Sequence, residues 1–188
     1  MNQENIGIEG DGNKIIGGDD NSQKTINVVS RRGKLSALFD KLKVKFDNNE
    51  LVNNISKDLQ RYTDLKDNIG LEEKLQLAGK SDYYKDFAWL KQEFYKKLVY
   101  YQNFEPAQEI FAFILGIVYE KYRNIIKPKI TAQKSDEEIF ASLSMDIIKP
   151  ILDLINSEGC DDIIGISATE IEGMYHYLTG NCYINWKA

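Results

Sequence analysis

From Leu35 onward the apolar positions keep helical time. Leu35, Leu38, Phe39, Leu42 and Phe46 recur at the i, i+3, i+4, i+7 spacing that turns one face of a helix toward a core. Leu51, Val52, Ile55, Leu59, Tyr62 and Leu65 resume the pattern after a break at Asn48-Asn49, so two amphipathic helices, or one long interrupted helix, are predicted. A short helix follows over Leu71 to Ala78, stopped by Gly79, and Ser81 is placed to cap another from Asp82 to about Asn103. Its aromatic stripe (Tyr83, Tyr84, Phe87, Trp89, Phe94, Tyr95, Tyr100, Tyr101) reads as core and helix packing rather than as a platform for stacked bases, which comes with interleaved basic residues on an open face.

Pro106 suits the first turn of a helix running to Pro128, and its centre, Ile110 to Tyr119, is apolar on nearly every face and is expected to be the buried hub. Ser135-Asp136-Glu137-Glu138 is a capping box before a helix carrying Ile139, Phe140, Leu143, Ile147 and Ile148, which Pro150 should kink or restart and Gly159 end. A second box, Ser167-Ala168-Thr169-Glu170, opens a last helix that Gly180 terminates. The pattern predicts a mainly α, bundle-like domain of five to seven helices over residues 30–188, with no βαβ alternation and so no nucleotide-binding sheet.

Residues 1–29 follow a different period. Ile6-Gly7-Ile8, Lys14-Ile15-Ile16 and Thr25 to Val29 are short β-prone runs separated by Asp-Gly-Asn and Asp-Asp-Asn turns, and Asn5, Asn13 and Asn21 return every eighth residue. A β-repeat leader, hairpin or prism, is predicted. So few strands bury too little apolar area to stand alone, so the leader needs a covering surface: the helical body, or the same segment from neighbouring chains. The second is favoured, which makes Ile6, Ile8, Asn13, Ile15, Ile16, Asn21, Ile26 and Val28 the expected contacts of a homo-oligomer. Calcium-binding β-rolls repeat every nine residues over several turns, whereas two good copies at a period of eight stand here.

Composition narrows the class. At 188 residues, 43% hydrophobic and 28% charged, the chain holds one ordinary domain plus an appendage. No apolar run approaches the roughly 18–20 residues that cross a bilayer, so no membrane partner is expected. MNQENIG is not a secretory signal, and two cysteines, Cys160 and Cys182, read as thiols of a reducing compartment, which together point to the cytoplasm. The net charge of −5 is uneven: residues 30–46 carry six Lys or Arg against one acid. That basic segment reads first as a solvated helix face; the alternative is a nucleic-acid-binding accessory protein contacting phosphate through Arg31, Arg32, Lys34 and Lys41.

Reaction chemistry is thin. His176, the sole histidine, lies one turn after Glu172 and precedes Cys182, but one His and two distant Cys make no recognised zinc spacing. Gly10-Asp11-Gly12-Asn13 lacks the Gly-Lys-Ser/Thr of a phosphate loop, and Asp161-Asp162 sits in a loop without an assigned role. A protein that is not an enzyme, with no catalytic residue, metal or cofactor, is expected.

The stretch ISATEIEGMYHYLTGNCYINWKA, residues 166–188, is the most distinctive of the body. Through Glu170, Gly173, Met174, Tyr177, Leu178, Gly180, Asn181, Cys182, Ile184 and Trp186 it resembles the end of the helical C-terminal modules of bacterial ABC-three-component conflict systems, where a capped helix ends in a YLTGNC-x-I-x-W signature. The resemblance implies a non-catalytic module linking an effector to an ABC ATPase and a middle component in anti-phage defence. Such modules follow an effector domain, whereas here only the leader precedes, so a small accessory or middle component is implied. Physically, Gly180-Asn181 is expected to form a left-handed helix stop, Cys182 and Ile184 to alternate inward, and Trp186 to seal the helix base, while a strand-like CYINW end offers an edge to a partner. Tyr177, Gly180, Asn181, Cys182, Ile184 and Trp186 are thus the candidate partner-binding residues of an assembly protein. Its expected partners are itself and a larger protein such as an ATPase or effector.

Overall fold

The computed structural model describes residues 33–66 and 69–187. The predicted leader, with Ile6, Ile8, Asn13, Ile15, Ile16, Asn21, Ile26 and Val28, lies outside the described residues, as do Arg31 and Arg32. The elements are α1 (Lys34–Asp47), α2 (Lys57–Thr63), α3 (Leu71–Leu77), α4 (Tyr84–Tyr101, preceded by a 3-10 turn at Ser81–Tyr83), α5 (Glu105–Lys121), α6 (Lys127–Thr131), α7 (Asp136–Ser142), α8 (Lys149–Ser157) and α9 (Ala168–Gly180). A π turn over Tyr122–Ile126 joins α5 to α6, and another over Leu143–Ile148 joins α7 to α8. Joining these pairs leaves seven helices and no strand among the described residues, as the periodicity predicts.

The buried hub is where the sequence places it. Ile110, Phe111, Ile114, Leu115 and Val118 of α5 are fully buried, and α1, α2 and α9 all pack on that helix. α9 runs along α4, the most extensive pairing in the fold, with α3 against both. α1 has no side-chain cap of its own. The Glu158 carboxylate, at the end of α8, supplies one by accepting the Ser36 N–H at 3.0 Å, and it occupies the space that a Gly33 side chain would need.

Both capping boxes form, at Ser135 with Glu138 and at Ser167 with Glu170. Helix ends share one stop: a residue at positive φ, followed by an N–H that reaches back five residues. Gly79 and Gly159 fill that position after α3 and α8, but Asn49 fills it after α1, Gln133 after α6 and Cys182 after α9.

Four local expectations are corrected. The run from Leu51 to Leu65 is helical only from Lys57, because Gln108 of α5 holds the preceding chain extended: it accepts the Ser56 N–H at 2.7 Å and donates to the Asn54 carbonyl at 3.0 Å. Ser56, not the start of the apolar run, then caps α2. Ser81 caps nothing and opens the 3-10 turn. Pro128 does not end its helix, because the Lys127 N–H already bonds five residues back to Tyr122 and the missing Pro N–H falls in the altered register. The same device precedes Pro150, where the Lys149 N–H bonds to Ser144.

Candidate functional site

The C-terminal signature forms the centre of the fold. Ile171 and the run from Gly173 to Gly180 are buried, so α9 has almost no solvent face. Gly173 permits this approach: a Cβ there would meet the Leu90 carbonyl oxygen and stand 2.8 Å from Phe94 Cβ. Gly180 plays a comparable part at the far end of α9. It is helical, and a Cβ on it would lie 2.7 Å from Lys91 Nζ, so the residue is small to let the lysine cross over it. The expected left-handed stop at Gly180-Asn181 therefore falls instead on Cys182, at φ 67°.

The carbonyl end of α9 is held by a buried cation. Lys74 of α3 donates to the Thr179 carbonyl at 2.6 Å and to the Ile184 carbonyl at 3.3 Å, answering both the unpaired acceptors and the negative end of the helix dipole. Beyond the stop, Ile184 and Trp186 are buried, and Trp186 stacks on Phe87 at 5.6 Å and on His176 at 6.2 Å. The tail is thus the helix seal that its aromatic end predicts. It offers no strand edge, since both inward residues are already covered.

The remaining signature residues face a groove of about 470 Å³. Tyr177 and Asn181 form its floor; Lys91, Gln92, Tyr95, Leu98 and Gln102 of α4 make one wall, and Ile55, Thr63 and Leu65, from the chain around α2, make the other. Asn181 fixes that second wall by donating from Nδ2 to the Tyr62 carbonyl at 3.0 Å, and Cys182 Sγ donates to the Ile69 carbonyl at 3.2 Å. Lys66 lies over the Tyr183 ring, 3.9 Å from its centre. Asn181 and Cys182 therefore act as braces and Tyr177 as floor. Sequence reasoning missed Lys91, Gln108 and Lys74, whose roles depend on distant chain. The one local signal was the pair of glycines, Gly173 and Gly180, seven residues apart on one helix face.

Lys91 is the groove's only charged lining residue, and burial together with the neighbouring Lys74 lowers its pKa. Leu65, Tyr95 and Ile55 are exposed at the rim, Leu65 to 67%.

The other sequence candidates are not drawn together. On α1, Lys43 pairs with Asp161 and Lys45 with Glu50, while Lys34 and Lys41 lie on the exposed side, Lys34 over the Phe113 ring. Asp161 and Asp162 acquire structural roles: Asp162 accepts N–H groups from Ile164 and Gly165, folding the loop before α9. His176 is fully buried against Phe87, with ring centres 3.8 Å apart, and neither ring nitrogen makes a hydrogen bond. Burial lowers its pKa, opposed by the Glu172 carboxylate 3.9 Å away. Cys160 is pushed up to about 11, chiefly by burial and then by Glu158, which makes it a poor thiolate. Among the described residues no group of three or more His, Cys, Asp or Glu converges to hold a metal, and no helix is long and apolar enough to cross a membrane.

Comparison with known proteins places this geometry. Residues 70–186 match the family described as C-terminal domain 9 of the ABC-three component (ABC-3C) systems, a span that holds α3 to α9 and one wall and the floor of the groove. No curated protein and no solved structure matches the chain. The chain belongs to this family, and it is a component of a multi-component defence system, as the resemblance of residues 166–188 implies.

Proposed function

We propose that this family member is a non-catalytic assembly protein, whose helical body docks a larger protein of the same system, an ABC ATPase or an effector, and whose leader joins copies of the chain. The observation that supports docking is the groove: the family signature braces an open, apolar-rimmed cleft instead of converging reactive groups. Support for self-association comes from the repeat of Ile and Asn in residues 5–21, a row that a second copy would complement.

Two measurements test the reading. Light scattering on the intact chain and on a chain starting at Ser30 should give a defined oligomer and a folded monomer, respectively. Two monomers, or two identical oligomers, would remove the role given to the leader. Co-purification of the tagged intact chain with the ATPase and the other proteins of its own system should retain at least one of them at stoichiometric amount, and retention of none would overturn the docking role.

A further inference from the structure

The groove's chemistry narrows its occupant. Its volume lies within the range of about 300–1,000 Å³ that ligand sites occupy, enough for a few side chains of a peptide and too little for a folded domain. Thr63, Gln92, Gln102 and Asn181 bring hydroxyl and amide groups to it, Ile55, Leu65 and Tyr95 bring exposed apolar surface, and no carboxylate lines it. This occurs on a chain whose net charge is −5.

The cation is also short of partners. Lys74 spends its ammonium on the Thr179 and Ile184 carbonyls, satisfying the end of α9. Lys91 stands beside it, with its side chain laid across Gly180 and half-buried. Glu72 lines the adjoining cleft on the other side of Lys91, yet no ion pair within 4.0 Å joins the two. A half-buried ammonium beside a second ammonium, in a groove without acids, is stabilised by an arriving carboxylate, and the apolar rim excludes the water that would weaken the pair.

We propose that this groove takes an acidic, apolar peptide segment of the partner protein, with one Asp or Glu carboxylate on Lys91 Nζ and the flanking apolar side chains on Ile55, Leu65 and Tyr95. The assignment rests on the docking role above and adds the chemistry of what docks. Gly180 is part of the device, since any side chain there would displace Lys91 from the groove floor. The wall around α2 then grips the apolar flanks, while α4 and α9 supply the charge.

The test uses the intact protein and an array of 15-residue peptides tiled across the other proteins of its own system. Bound peptides should share an Asp or Glu between apolar residues, and changing that acid to Lys should weaken binding at least tenfold. Lys91→Glu should lose the parent peptide by a similar factor and regain the Lys-substituted one. Leu65→Glu, at an exposed rim position, guards against a folding defect at Lys91 and should also weaken the parent peptide. Binding unaltered by Lys91→Glu in a folded protein, a preference for basic peptides, or no bound peptide would overturn the assignment. Co-purification of whole partners separates the two ideas: partners held equally by the parent and Lys91→Glu leave docking intact and remove the groove from it, whereas no partner held by the parent removes docking itself.

Discussion

Helices α2 and α9 begin alike, each at a serine whose hydroxyl accepts a backbone N–H of the first turn, and they end in different worlds. α9 buries ten of its thirteen residues between α3, α4, α5 and α8, whereas α2 buries Leu59 alone and lies on α5. A cap decides where a helix starts, at a worth of about 1 kcal/mol. Neighbours on several sides decide how much of it is buried, and each buried large side chain is worth about 1.5–3 kcal/mol. The groove therefore has one wall rooted in the core and another clipped on by a few bonds from Gln108 and Asn181. The family match shares this division, since it begins at residue 70 and leaves α2 outside.

The sharpest way to break the comparison is Trp186→Ala. Trp186 closes the aromatic stack on α9, and its loss should cost about 3–5 kcal/mol, seen as a fall of roughly 6–20 °C in Tm. A fall of only a degree or two would mean that the tail does not seal the helix. Next comes Gly173→Ala, for which overpacking against the Leu90 carbonyl should cost about 1–3 kcal/mol in chemical denaturation. An unchanged midpoint would show that α4 and α9 can part freely.

A third effect is read in pH. His176 has a folded pKa below its unfolded value because burial disfavours the imidazolium. The unfolded chain therefore takes up the proton first as pH falls. The stability tied to a neutral His176 is complete above the unfolded value near 6.5, and it drains away as pH drops from there through the folded pKa. One proton limits the slope to about 1.4 kcal/mol per pH unit. Urea midpoints between pH 7 and 5 should decline in the parent and stay flatter in His176→Phe. Glu170 and Glu138, whose folded pKa values are lowered, hold full stability above their ordinary value of 4.5 and lose it below, outside this window. The smallest effect belongs to the outer wall: Leu65→Ser and Ile55→Ser, at exposed positions, should each shift stability by no more than about 0.5 kcal/mol. A larger loss would make that wall part of the core.

What the sequence made legible were features whose causes are local. Ser135 with Glu138 and Ser167 with Glu170 announce their helices within four residues, and Pro106, Gly79 and Gly159 mark turns through their own backbone preferences. Leu51, Val52 and Ile55 misled because their helical spacing is overruled by Gln108 and by the bond from the Val52 N–H to the Asn103 carbonyl at 2.7 Å. Gly180 was read as a stop because glycine so often is one, yet its reason is a lysine from α4 crossing overhead. The groove had no local trace: three separate stretches meet to make it, and its one charge comes from a helix read as an aromatic stripe.

The two π turns bear on how this chain tolerates editing. Ile125-Ile126-Lys127-Pro128 and Ile147-Ile148-Lys149-Pro150 place the same four residue types just after, or across, the end of a widened turn. A widened turn carries one residue more than the α-helical ladder needs, so each is a slack link in an otherwise tight thread. Deleting one residue from Tyr122–Ile126 would draw that slack in and rewind the rod, rotating everything past Pro128 by about 100° relative to the hub. Ile130 would swing out of the core, and the proline would land where an ordinary ladder requires a donor. In this body length is counted as strictly as hydrophobicity, and the two bulges are where the count is kept.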